Sequence, residues 1–238
     1  MSARRFFHSL VGLLLAVGLL PTLAAAAPLR AIVHFQGQTA PTKPLGYSLR
    51  PNGILPLLPP SPDPRREAVL EVIPLATVPS ALIASSGLAP LPKQQELRVF
   101  GQRLLPRMPL LSPGGELVLR NDDPAPVTVE LLSALAGQVS LVLAPGEVRS
   151  FKLAQAGELS LLIRELPHAQ ATVLLPRHLA THLTLSEVGT MAVATIEVPP
   201  GRYRVRLRMA GGASWQEEVV VDERGRELSL HATLGEER

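Results

Sequence analysis

Apolar and polar residues alternate with a period of two along most of this chain, the repeat of strands that bury one face. Residues 29–36 (LRAIVHFQ) and 68–75 (AVLEVIPL) form the first two such segments. From Gln95 onward the pattern becomes regular and predicts strands over 96–100, 116–120, 127–132, 140–143, 148–153, 158–163 and 171–175. A last group covers 183–185, 192–198, 203–209, 215–221 and 227–232. Turn signals fall between them: Ser112-Pro113-Gly114-Gly115, Asn121-Asp122-Asp123-Pro124, Ala144-Pro145-Gly146, Val198-Pro199-Pro200-Gly201 and the hairpin pair Gly211-Gly212. No stretch carries the 3.6-residue period of a long amphipathic helix, and no internal repeat is visible. The expected class is all-β, because short strands at this spacing mark sandwiches and Greek-key barrels.

Two stretches break the alternation. Residues 39–65 hold prolines at 41, 44, 51, 56, 59, 60, 62 and 64. Proline fixes φ and removes a backbone donor, so neither a helix nor a central strand is expected there. The segment reads as a long loop with polyproline character. A second proline-punctuated stretch covers 77–92.

The first 27 residues have the layout of an export signal: Arg4 and Arg5, an apolar run over 10–20, the helix breaker Pro21, and small residues Ala24 to Ala27. The apolar run is shorter than the roughly 20 residues that span a bilayer. Cleavage before Pro28 or Leu29 is expected, delivering the chain to the periplasm or the medium with no transmembrane segment left. Sec and twin-arginine routes both remain open, since Phe7 follows the arginine pair. Cysteine is absent, which removes disulfides, thiolate ligands, cysteine nucleophiles and a lipoprotein anchor. Aromatics make up only 3% of residues, so Leu, Val, Ile and Ala must build the core. The formal charge of +3 shrinks once Arg4 and Arg5 leave, to 21 basic against 20 acidic side chains. Such a balance gives no reason to expect a nucleic-acid partner.

Between Val99 and Leu175 the turns and strands come in a recognisable order. Leu105-Pro106-Arg107 precedes Ser112-Pro113-Gly114-Gly115, a strand ending in Asn121-Asp122-Asp123-Pro124, the turn Ala144-Pro145-Gly146-Glu147, then Phe151, Gly157 and the strand through Ile163. This order resembles the plastocyanin-like cupredoxins. Val198-Pro199-Pro200-Gly201-Arg202-Tyr203 resembles a turn of the carboxypeptidase-regulatory, transthyretin-like sandwich. The two occur together in exported bacterial proteins of the methylamine-utilisation type. The resemblance implies a cupredoxin-like Greek-key sandwich over 94–176 beside a smaller transthyretin-like sandwich. The latter is expected to be discontinuous, from 28–80 plus 177–238, with 39–65 as its proline-rich loop. Two consecutive domains, or one extended sandwich, are the alternatives. Bonding of 30–35 to a strand beyond residue 181 separates these cases.

A blue-copper site requires a thiolate, two imidazoles and a weak axial group. The resemblance maps those ligands onto Val127, Ile163, Leu166 and Ala169, all hydrocarbon. Losing only some members of a buried polar cage strands the rest in an apolar shell, whereas replacing all of them yields ordinary core. No metal or other cofactor is therefore expected. His168, in the stretch that corresponds to the copper loop, is the remaining imidazole and the basis of an alternative reading as an unconventional copper or zinc site. His178 and His182 share the spacing of HExxH, but the glutamate is missing and the context is β.

Along 202–209 arginine alternates with apolar residues. Tyr203, Val205, Leu207 and Met209 are expected to face one way, and Arg202, Arg204, Arg206 and Arg208 the other. The row can meet an anionic partner, or be balanced by Glu197, Glu217 and Glu218 on neighbouring strands. No nucleophile elbow, phosphate loop or framed carboxylate pair accompanies these features, so an enzyme is not expected. The sequence points to a copper-free exported envelope module that binds or scaffolds, with an envelope protein or glycan as partner and a membrane surface as a lesser option.

Overall fold

The computed structural model describes residues 26–36, 49–50, 53–54, 63, 65–76, 88–133, 137–186, 190–210 and 214–233. In chain order the strands are β1 (Ala27–Gln36), β2 (Leu49–Arg50), β3 (Gly53–Ile54), β4 (Val69–Pro74), β5 (Gln94–Val99) and β6 (Leu104–Leu105). Next come β7 (Glu116–Asn121), β8 (Val127–Ser133), β9 (Gly137–Leu143), β10 (Val148–Lys152), β11 (Gly157–Ile163) and β12 (Leu166–Leu175). The last six are β13 (Leu179–His182), β14 (Thr184–Leu185), β15 (Met191–Val198), β16 (Gly201–Arg208), β17 (Ser214–Val221) and β18 (Arg226–Thr233). The described chain is all-β.

Four four-stranded sheets stack in two pairs. In one pair, β14-β15-β1-β18 faces β13-β4-β16-β17 across a core that includes Leu29, Val33, Leu70, Val72, Ile196 and Val205. In the other, β10-β7-β5-β6 faces β12-β11-β8-β9 across Leu97, Leu119, Val129, Leu143, Leu161 and Val173. The first sandwich thus draws its strands from both ends of the chain. β1 lies antiparallel to β15, with Arg30 opposite Thr195, and parallel to β18, with Arg30 opposite Glu227. The second sandwich lies between them in sequence.

β4 shows how the two sandwiches meet. Leu70 and Val72 point into the first core, while Val69 points out and packs with Met108, Leu110, Leu174 and Ala180. Both faces of this strand are covered, which explains why AVLEVIPL is apolar nearly throughout. Residues 107–111 extend the second sandwich beside β12: Thr172 N donates to Arg107 O at 2.7 Å, Leu174 N to Pro109 O at 2.9 Å, and Leu111 N to Leu174 O at 2.9 Å.

Several elements depart from the pattern-based expectation. The boundary expected after residue 27 cuts into β1, because the buried methyl of Ala27 continues the inward row of Leu29, Ala31 and Val33, opposite Val198. A short hairpin, β2 with β3, falls inside the proline-rich stretch at residues free of proline. β6 and β13 are too short for alternation to show. β12 begins at Leu166 rather than Ala171, so only Arg164 and Glu165 turn the hairpin where a longer loop was expected. Residues 1–25 of the expected leader, and Gly211-Gly212, lie outside the described residues.

Candidate functional site

The four positions that the resemblance maps onto copper ligands all reach the second core as hydrocarbon. Val127 opens β8, Ile163 closes β11, and Ala169 sits in β12; all three are buried in the second core, with the half-buried Leu166 packed against it. The β11–β12 register slips between Leu162, opposite Gln170, and Ile163, opposite Leu166. Residues 167–169 bulge out of the ladder, which lets both Leu166 and Ala169 reach the core and leaves His168 exposed. A donor set of four aliphatic side chains offers no lone pair, so these residues do not fit copper.

The turn ahead of Val127 is held by Asn121, which is fully buried. Its Nδ2 donates to Ala125 O at 2.9 Å and Leu143 O at 3.0 Å, and its Oδ1 accepts from Asp123 N at 3.0 Å. Asp123 in turn accepts from Gly101 N at 2.6 Å.

The arginine row lies on β16, with Tyr203, Val205, Leu207 and Met209 buried behind it. Tyr203 also ties down the preceding turn, its hydroxyl donating to Pro199 O at 2.6 Å. The row divides in two. Arg204 pairs with Glu218 at 2.8 Å and Arg202 reaches the same carboxylate at 3.6 Å. Arg208 and Arg206 turn instead to Glu71, at 2.7 Å and 3.8 Å. Of the three expected counter-charges only Glu218 serves. Glu197 lies on β15, in the opposing sheet, and Glu217 has the other parity on β17, opposite Val205.

Glu71 is the residue that strand patterning overlooked. It stands on the outer face of β4, only 4% exposed because the second sandwich covers it. Oε1 lies 2.9 Å from His178 Nε2, and Oε2 accepts from Arg208 Nε at 2.7 Å. Burial, the largest influence, pushes its carboxyl upward. The hydrogen bond from His178 and the charge of Arg208 together outweigh that and hold it below the ordinary carboxylate value. Arg208 also donates to Glu158 on β11, bridging the two sandwiches, and the two carboxylates keep its guanidinium above the usual arginine value despite burial. A lone acidic residue in an apolar strand, with four arginines at matching parity elsewhere, was the available signal.

Above this cluster a cleft of about 670 Å³ opens between the sandwiches. Arg206, Arg208, Ser214 and Gln216 line one wall, and Arg107, Glu158, His168, Gln170 and Thr172 the other. Met108, Met209, Ala171 and Ala210 complete the lining. The cleft thus joins two features that sequence kept apart, the arginine row and His168. Three guanidiniums and the Glu158 carboxylate line the cleft, and Glu71 also engages Arg206 and Arg208; planar guanidinium forks match the geometry of a carboxylate or phosphate oxyanion. His182 lies exposed on β13 and does not converge with His178, which faces Glu71. Among the described residues no group of three or more His, Cys, Asp or Glu side chains is arranged to hold a metal ion.

Part of the chain bears a distant likeness to solved cupredoxin structures. A purple cupredoxin from Nitrosopumilus maritimus is similar to 34% of this chain over 98% of its own length, at 13% identity and a TM-score of 0.30. Amicyanin from Paracoccus versutus is similar to 44% of this chain over 98% of its own, at 12% identity and a TM-score of 0.32. No protein-family model and no curated protein matches the sequence.

Proposed function

We propose that this protein is a non-catalytic binding module of the cell envelope that takes an acidic sugar unit into the cleft between its two sandwiches. Export is the expectation drawn from the leader-like first residues. The observation that carries the reading is the convergence of Arg107, Arg206, Arg208 and His168 on one cleft. Its volume is in the range of small-molecule sites, roughly 300–1,000 Å³. A uronic acid carboxylate matches the guanidiniums, and the amides and hydroxyls of Gln170, Gln216, Thr172 and Ser214 match sugar hydroxyls. Nothing in the lining supplies a nucleophile paired with a base, so binding rather than turnover is the chemistry on offer.

The test uses a galacturonate trisaccharide against a neutral glucose trisaccharide. Isothermal titration calorimetry reads the binding, because Trp215, although between the lining residues Ser214 and Gln216, has the opposite parity and packs against the first core. The acidic sugar is expected to bind and the neutral one not. Arg206→Gln is expected to weaken binding about tenfold, equivalent to ~1.4 kcal/mol. Arg202→Gln, on the same row but outside the cleft, leaves affinity unchanged. Equal losses in both variants, or no response to the acidic sugar, overturn the reading.

A further inference from the structure

The outer face of the β14-β15-β1-β18 sheet carries a row unrelated to the cleft. On β1, His34 is opposite His231 of the parallel neighbour β18 and opposite Met191 of the antiparallel neighbour β15. All three have outward parity: their flanking residues Val33, Ala192, Leu230 and Ala232 are buried in the first core. The two imidazole rings stack with centroids 5.1 Å apart and an interplanar angle of 18°; this places them side by side, and holding one ion between them requires each ring to turn about χ2, a broad torsion. Met191 is 36% exposed, so its thioether is accessible from solvent. Directly opposite residues in a sheet have Cβ atoms about 5 Å apart, within chelating reach of side chains of this length.

We propose that His34, His231 and Met191 form a surface site for a copper ion, with His34 at its centre. Two imidazoles and one thioether make a neutral, soft donor set. Thioether sulfur selects Cu(I), and imidazole accepts copper in either oxidation state. The flanking rows favour a cation by carrying no positive charge. On one side they hold Ile32, Ser229 and Val193, and on the other, among the described residues, Gln36 and Thr233. The three ligands leave the outward side open, so the site suits acquisition and release of the ion rather than permanent burial. It rests on none of the cleft residues and stands or falls separately from the sugar-binding reading.

The experiment titrates the full mature chain with Cu(I) against a chromophoric chelator, and with Zn(II) in parallel. One equivalent of Cu(I) is expected to bind. His34→Asn lowers affinity for both metals by at least about tenfold, the loss typical of even an outer-sphere partner. Met191→Leu weakens Cu(I) by a similar factor and leaves Zn(II) unchanged, because only the softer ion uses the sulfur. His168→Asn changes neither. All three substitutions lie on exposed or half-exposed side chains, and thermal melts confirm that each variant is folded. Absence of Cu(I) uptake, retention of full affinity by His34→Asn, equal Cu(I) affinity in Met191→Leu, or loss in His168→Asn overturns the proposal.

Discussion

Arg208 Nε donates to Glu71 Oε2 across 2.7 Å, and the other arm of the same guanidinium reaches Glu158 in the second sandwich. The two bonds differ in setting: the Glu71 side chain is 6% exposed and that of Glu158 is 49% exposed. Exposed ion pairs contribute about 0–1 kcal/mol and are screened by salt, whereas hydrogen bonds to charged groups out of water contribute about 1.5–3 kcal/mol. Double-mutant cycles with Arg208→Met are therefore expected to show a coupling of ~2 kcal/mol to Glu71 and ~0.5 kcal/mol to Glu158. Raising salt should abolish only the second. Equal couplings would contradict this ordering.

Glu71 also sets a pH dependence. Its folded carboxyl lies below the ordinary value of 4.5, so it binds fewer protons folded than unfolded. The stabilisation is present above about pH 4.5 and is lost as pH falls through the folded value. Glu71→Gln keeps the shape but removes the charge facing His178, Arg206 and Arg208. Urea unfolding at neutral pH should show a loss of about 1–3 kcal/mol, shrinking towards zero in acid. A constant difference across the acid range would count against the charge as its cause.

Asn121 is expected to be among the most sensitive positions of the second sandwich. Its amide serves the carbonyls of Ala125 and Leu143 and the amide of Asp123, in a fully buried place. Asn121→Ala leaves those groups without their partner at a cost of about 2–4 kcal/mol. Denaturant titration measures it, and a loss under ~0.5 kcal/mol would mean that water replaces the amide.

Gly225 turns the chain from β17 into β18 with φ at +88°, a conformation that side chains rarely adopt. A Cβ there would lie 2.3 Å from Pro28 O, a contact that backbone cannot relieve cheaply. Gly225→Ala is expected to cost more than about 1 kcal/mol and to loosen the parallel pairing of β1 with β18. Hydrogen exchange at 29–33 should rise in that variant. Gly146→Ala, at φ +75° with open space around its Cβ, isolates the conformational part of the effect.

Alternation alone determined the class and most of the strands, since a period of two with one apolar face admits little but sheet. It also separated the buried side of β16 from its arginines. What lay beyond it concerns partners distant in the chain. Glu71 reads as an ordinary strand residue until a second sandwich covers its outer face. His34 and His231 come from opposite ends of the chain and meet only because β1 pairs parallel with β18. The failure of Glu197 to balance the arginines follows from its sheet assignment, and the early start of β12 from a bulge that blurs the period between Leu166 and Gln170. Local pattern reports which way a side chain points along its own strand. Which strand lies next to it, and what covers the far face, is decided by long-range packing that no short window of sequence contains.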